Sequence, residues 1–465
     1  MSANAKTTAS IAGVVTAASF GFVVVQLDVT IVNVALPAIG KSLNAGIAEL
    51  QWVVDAYSLV FAVLLLSAGV IGDRFGSRRA YLAGFGLFAL ASLACGFAPT
   101  AATLIAARAA QGIGAALLVP SSLALLNHAS GHDAALRAKM VGIWTAAGGV
   151  SIAAGPVIGG LLVASVGWRA IFLVNIPICV LAVFLTLRAT SNAAAESNQK
   201  GLDLLGQGLA IAALTGLVGA VIEARPLGIA HPVVIGGAIV AVLAGLAFVV
   251  VEQRVHEPML PLKFFGQRNF STATVFGISV NLTYYGVIFV LSLYLQQVKG
   301  WSATQAGLAY LPLTAGFIAS NMASGAISAR VGSRLPMIAG GLIGAVGFGL
   351  LALLNADSSY WAMLPPFILI PAGMGLAVPA MTTAILGSVE RSASGVASAV
   401  LNTARQAAGA IGVALFGALA SGDQIVSGLQ LSALISLALV LCAAGLAAIG
   451  MHDAKAPPRP AENNA

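Results

Sequence analysis

Gly69-Val70-Ile71-Gly72-Asp73-Arg74-Phe75-Gly76-Ser77-Arg78-Arg79 and, half a chain later, Gly325-Ala326-Ile327-Ser328-Ala329-Arg330-Val331-Gly332-Ser333-Arg334-Leu335 repeat one pattern. Glycine, arginine and serine recur at fixed offsets, and Gly84 and Gly340 continue the match. Each copy joins two long apolar runs: Leu50–Ile71 to Ala80–Phe97, and Ala303–Ala329 to Leu335–Asn355. Two copies of one unit facing the same way, around a midplane site, are a common layout of secondary transporters.

The runs outside the repeat extend this picture over the whole chain. Hydrophobic residues make up 59% and charged ones 8%, against about 25% charged in a soluble globular protein. Windows of roughly 20 apolar residues give about fourteen spans, with two extra ones, Leu204–Val221 and Pro232–Val251, between the halves. The expected fold is an all-α polytopic membrane protein of two six-helix bundles plus two extra transmembrane helices. The expected units are 1–190, a linker 191–265 with the extra helices, 266–453, and a disordered tail 454–465. With the N-terminus inside, alternate loops collect most of the Lys and Arg, and the outer face receives only Lys41, Arg169, Arg225 and Lys299. Basic residues stay on the cytoplasmic side, so both termini are expected there. Their spread over many loops accounts for the net charge of +7 without nucleic acid. The first run is too long for a signal peptide and carries Asp28 and Asn33. Cys95, Cys179 and Cys442 lie in apolar runs without metal spacing and read as buried thiols.

Charges inside the runs mark candidate sites, because a cation in hydrocarbon costs roughly 2.5–3.5 kcal/mol or more. Arg108 stands in Arg108-Ala109-Ala110-Gln111-Gly112-Ile113-Gly114, and Arg405 near the midplane of its own run. At a rise of 1.5 Å per residue, Asp28, Asp55 and Arg108 all fall in the outer half of the bilayer. A carboxylate and a guanidinium at matching depth either pair statically or exchange partners with a proton, Asp28 carrying it and Arg108 controlling its release. Asp55, near a span end, either joins this coupling or merely solvates a helix terminus. Arg405 would attract anionic or carbonyl-bearing compounds. Gln26, Asn33, Trp144, Asn281, Tyr284, Tyr285, Phe289 and Gln296 are the other expected cavity residues, although Trp and Tyr at span ends also serve as interface anchors. Trp168 and Arg169 read as such an anchor.

The residues now support a family resemblance. Leu27-Asp28-Val29-Thr30-Ile31-Val32-Asn33-Val34-Ala35-Leu36-Pro37 resembles the first-helix motif of the fourteen-span drug:proton antiporters of the major facilitator superfamily, which include multidrug and methylenomycin-resistance exporters. The Gly69–Arg79 loop resembles the superfamily's signature loop, Arg108 to Gly114 its fourth-helix motif, and Gly155-Pro156-Val157-Ile158-Gly159-Gly160 its antiporter helix. The resemblance implies a major facilitator fold in a bacterial inner membrane and proton-coupled export of an amphipathic or drug-like compound by alternating access. In the loop, Gly69 and Gly76 would allow close approach and a turn. Asp73, Arg74, Arg78 and Arg79 would form a conformational latch, one-sided because the second copy has Ala329 at the Asp position. Gly155, Pro156, Gly159 and Gly160 make a thin, bendable helix. Expected partners are a small-molecule substrate, protons and the lipid bilayer, without nucleic acid or cofactor, and the chain is expected to act as a monomer. No nucleophile with its base and no metal cluster is visible, so an enzyme is not expected. A metabolite importer or facilitator and a non-transporting membrane sensor are the alternatives on the same scaffold.

Overall fold

The computed structural model describes residues 11–131, 133–190, 203–255, 258–390, 394–421 and 424–451. The expected tail 454–465 and most of the expected linker before Asp203 lie outside these. The described chain is helical, and polar side chains at the loops set where helices begin. Thr100 accepts the Thr103 amide at 3.3 Å and Asp133 that of Leu136 at 2.9 Å. Ser302 and Gln305 exchange two bonds in a capping box.

The first half contains α1 (Ile11–Leu43), α2 (Ile47–Phe75), α3 (Ser77–Gly96), α4 (Ala101–Ser130), α5 (Ala134–Ser165), the short α6 (Ala170–Leu173) and α7 (Asn175–Ala189). A hairpin of α8 (Leu204–Leu227) and α9 (Pro232–Arg254) follows. The second half contains α10 (Arg268–Leu293), which ends in a π turn over Tyr294–Val298, then α11 (Ala303–Ala309), α12 (Leu311–Val331), α13 (Arg334–Leu351), α14 (Tyr360–Gly387), α15 (Ser394–Leu419) and α16 (Ile425–Gly450). Helices α1, α2, α5, α10, α11 and α15 meet along the seam between the halves.

Among the described residues, twelve helical segments are long and apolar enough to cross a membrane, where the sequence reading expects fourteen. The two that fall short, α12 and α15, are helices of ample length whose polar residues lower their apolarity: Thr314, Ser320, Asn321 and Ser324 in one, Asn402, Thr403, Arg405 and Gln406 in the other. The apolar window of α1 is 78% buried and that of α9 only 11%, which places α1 centrally and α9 at the lipid boundary. Helix α8 does more than face lipid. It bridges the halves, with Glu223 accepting from Trp52 of α2 at 3.0 Å and Arg225 donating to Ser421 just beyond α15 and to Ala418 O in its last turn at 3.0 and 3.3 Å.

The sequence repeat is also a structural one. Gly76 turns α2 into α3 at φ +92°, and Gly332 turns α12 into α13 at φ +78°, where a side chain would be strained. Arg78 then donates to Thr190 Oγ1 and Leu187 O at the end of α7, at 3.1 and 3.4 Å. Its counterpart Arg334 donates to Ala448 O near the end of α16 at 2.5 Å. Both arginines thus satisfy the free carbonyls of the last helix in their own half. Three expectations are corrected. Gly69 has no atom within 4 Å of the position of a Cβ, so it makes no close helix approach. Cys442 is exposed on the outside of α16, because a membrane protein presents apolar side chains outward as well as inward. Trp168 is buried, with Arg169 stacked over its ring at 4.3 Å and bonded to Ala98 O, so the pair closes a loop within the fold instead of anchoring an interface.

Gly76→Val and Gly332→Val should each destabilise the protein by about 1–2 kcal/mol, since a β-branched residue is forced to positive φ. Gly69→Ala should stay within about 0.5 kcal/mol of the wild type. Thermal unfolding of the three purified variants in one detergent checks this ordering.

Candidate functional site

Asp28 lies in the middle of α1 and is wholly buried. Arg108 on α4 forms an ion pair with its Oδ2 through Nη1. Oδ1 accepts from Gln111 Nε2 at 2.7 Å and from Asn175 Nδ2 at 2.9 Å. Arg108 and Gln111 are one turn apart on α4 and so share a face; Arg108 Nη1 also reaches Gln111 Oε1 at 2.8 Å. The guanidinium Nε donates to Val53 O of α2 at 3.0 Å, and its carbon sits 4.3 Å from the Tyr57 ring centroid and 5.8 Å from that of Phe172. Ser92 of α3 completes the network, receiving Gln111 and Asn175 at 2.8 and 3.2 Å.

Helices α1, α2, α3, α4 and α7 therefore converge on one charge pair. Such a pair recovers its desolvation cost only when its remaining donors and acceptors are satisfied, and here three donors surround a carboxylate whose ionised form can only accept. Asn175, Ser92 and the ring of Tyr57 were not singled out from the sequence. An amide within the apolar run Trp168–Leu187 is the signal that could have found the first of them.

Asp55 differs from its expected place at a solvated helix end. It is wholly buried, and neither carboxylate oxygen has a hydrogen-bond partner. One turn before it, Gln51 donates to Val413 O and Ala414 O of α15 at 3.0 and 2.7 Å. One turn after it, Leu59 packs with Val218, Ile222, Ala410 and Ala414. Asp55 thus lies where α2 of the first half meets α8 and α15. An ionised carboxylate left unpaired there would cost several kcal/mol.

Between the halves is a small cavity lined by Thr30, Asn33, Ile152 and Pro156 on one side and Tyr284, Tyr285, Ile288, Tyr310, Leu313, Thr314 and Phe317 on the other. Its apolar walls with few polar groups have the chemistry that suits an amphipathic molecule. Of the expected cavity residues, Asn33, Tyr284 and Tyr285 line it. Gln26 and Asn281 are buried polar side chains, Asn281 turning back to Gly277 O at 2.9 Å. Trp144 stacks on Phe22 at 3.9 Å and bonds Ser122 within the first half. Phe289 is wholly buried in packing, and Gln296 donates to Val34 O across the seam at 2.9 Å.

The seam is closed at the end where α1 finishes and α11 begins. Ser292 donates to Asn33 O at 2.5 Å and Thr304 to Gly160 O at 3.1 Å. Helix α5 comes close enough because it lacks side chains there. A Cβ on Gly159 would lie 2.8 Å from Ile31 Cγ1, one on Gly160 2.5 Å from Ala303 O, and one on Gly155 would run into Thr30. Pro156 faces Gly307 of α11 by its carbonyl. Of the loop residues, Asp73, Arg74 and Arg79 are exposed, Arg74 lying over the Phe75 ring at 5.6 Å, while Arg78 bonds within its own half.

Residues 18–413 match the family model described as Major Facilitator Superfamily. The chain is 39% identical to the methylenomycin A resistance protein of Streptomyces coelicolor, covering 87% of this chain and 84% of that one. It is 36% identical to the tetracenomycin C resistance and export protein of Streptomyces glaucescens, over 87% of this chain and 74% of that one. It is also 36% identical to the puromycin resistance protein of Streptomyces alboniger, over 86% and 79%.

Removing one partner of a buried pair leaves the other uncompensated, a loss of about 3–5 kcal/mol. Asp28→Asn, which strands Arg108, should therefore be less stable than the double variant Asp28→Asn/Arg108→Gln. A double-mutant cycle on thermal unfolding of the purified proteins checks this, and additive losses would mean that the two groups do not interact.

Proposed function

Because the chain belongs to the Major Facilitator Superfamily, we propose that it is a proton-coupled exporter of small amphipathic, drug-like compounds in the cytoplasmic membrane of a bacterium. The observation that carries this reading is the buried Asp28–Arg108 pair, whose helix α1 also lines a cavity between the two halves through Thr30 and Asn33. The names of its relatives, each a resistance or export protein, support the direction of transport. The distribution of basic loops supports cytoplasmic termini, and on that orientation the closed seam is the outer end and the cavity receives compound from inside.

The cycle follows from the contacts. With the outer end closed, Asp28 is ionised and held by Arg108, Gln111 and Asn175, and compound enters between Asn33 and the Tyr284–Tyr285 wall. Opening the outer end parts Gly159 and Gly160 of α5 and Asn33 of α1 from α10 and α11. Compound then leaves outward, and a proton from the outside reaches Asp28 and loosens its hold on Arg108. Return to the closed arrangement brings Arg108 back onto Asp28 and expels the proton inward. Asp55 acts as a second coupling carboxylate, since parting Gln51 from α15 admits water to it. The halves that move are residues 1–190 and 266–453, with the α8–α9 hairpin of the 191–265 linker bridging them. Arg78 and Arg334 hold the last helix of each half to its repeat loop, so that each half moves as one body.

Everted vesicles with an acidic lumen, loaded with a pH-quenched dye, test this reading. Adding methylenomycin A, the compound in the name of the 39% identical relative, should dequench the dye in the wild type. Asp28→Asn should abolish the signal and Asp55→Asn should reduce it. Undiminished dequenching in Asp28→Asn would remove Asp28 from proton transport.

A further inference from the structure

Arg405 and Arg108 are the same residue in opposite settings. Arg108 has a carboxylate, a carbonyl, an amide and two aromatic rings around its guanidinium. Arg405 sits near the middle of α15, and among the described residues its guanidinium has neither an ion-pair partner nor a hydrogen bond; its Nε is buried and unsatisfied. The second half cannot supply a carboxylate, since α10 to α16 contain no Asp or Glu within their helices. In the first half Asp28 is neutralised by Arg108. On the first-half and bridging helices packed against α15, α2 carries Glu49, Asp55 and Asp73 and α8 carries Glu223, and among the described residues no ion pair joins any of them to Arg405.

The position of this cation relates it to the transport path. Its aliphatic stem lies along α10 at Gly277, where a Cβ would come within 3.3 Å of Arg405 Cγ. Tyr285, one turn further along α15 against Gly409, lines the cavity and is an electrostatic neighbour of Arg405. A cation without a counter-charge at this depth costs free energy that a bound anion would recover, and a guanidinium pairs with a carboxylate through two parallel bonds.

We propose that Arg405 is the counter-charge for the transported compound, so that the substrates are small amphipathic monoanions bearing a carboxylate. This rests on the reading of the cavity as a transport site. It carries an electrical consequence: moving a monoanion out and a proton in shifts charge in the same direction twice, whereas exchanging a monocation for a proton shifts none.

The test uses three probes of matched shape, 1-naphthylacetate, its methyl ester and 1-naphthylmethylammonium, binding to the full-length protein in nanodiscs by tryptophan fluorescence. The wild type should bind the carboxylate about tenfold more tightly than the ester, with the ammonium weakest. Arg405→Gln and Arg405→Met, two neutral replacements, should bind carboxylate and ester alike. Arg405→Lys should keep the preference at lower affinity, because it retains the charge without the fork. Equal binding of carboxylate and ester to the wild type, no binding of the carboxylate, or a preference that survives in both neutral variants would overturn the inference. Proton movement in vesicles reads the other claim separately: selectivity with no antiport overturns the transport reading alone, and antiport without selectivity overturns this one alone.

Discussion

A carboxylate and a guanidinium buried together in an apolar bundle must be surrounded by hydrogen-bonding partners, and that requirement organises the first half of the molecule. Asp28 and Arg108 draw in Gln111, Asn175, Ser92 and a backbone carbonyl of α2, so five helices are positioned by one pair. Low local dielectric strengthens each bond and penalises each one left unmade. On the proton-coupled reading, a proton added to the carboxylate would remove an acceptor from this network and so separate two arrangements, which is what coupling needs.

The seam between the halves supplies the moving part. Glycines, short polar side chains and backbone carbonyls meet there, Gly160 on Ala303, Gly307 on Pro156, Thr304 on Gly160 O and Gln51 on the α15 carbonyls, beside an apolar core that Ile31, Leu36 and Ile39 share with Phe289 and Tyr294. The small residues let the helices approach closely. Helix α8 bonds to α2 on one side and to the end of α15 and Ser421 on the other, and so ties the halves together.

Much of this was legible in the sequence, for physical reasons. The repeat marks positions where the backbone itself is constrained, and Gly76 and Gly332 duly adopt positive φ. Lone charges in apolar runs are costly enough to be conspicuous, so Asp28 and Arg108 stand out, and depth along the helix matched them. What depth cannot give is the direction in which a side chain points around its helix. Depth therefore leaves Asp55 open between a coupling role and a solvated helix end, although it lies at a buried junction, and sets Phe289 on the cavity, although it lies in packing. Ser92 and Asn175 are neutral, and a single serine or asparagine in a span carries little signal. The span count falls short at α12 and α15 because a hydropathy window reads their polar residues as interruption.

The central claim is that Asp28 carries the proton and does not merely brace α1 against α4. Proteoliposomes that separate exchange from accumulation test it most directly. Equilibrium exchange of a labelled compound between equal pools needs both arrangements of the protein but no net proton transfer, whereas accumulation against a gradient needs both. In Asp28→Asn, exchange should persist while proton-driven accumulation is lost. Loss of both in a variant that still purifies as a folded species would give Asp28 a bracing role, and survival of accumulation would contradict the account.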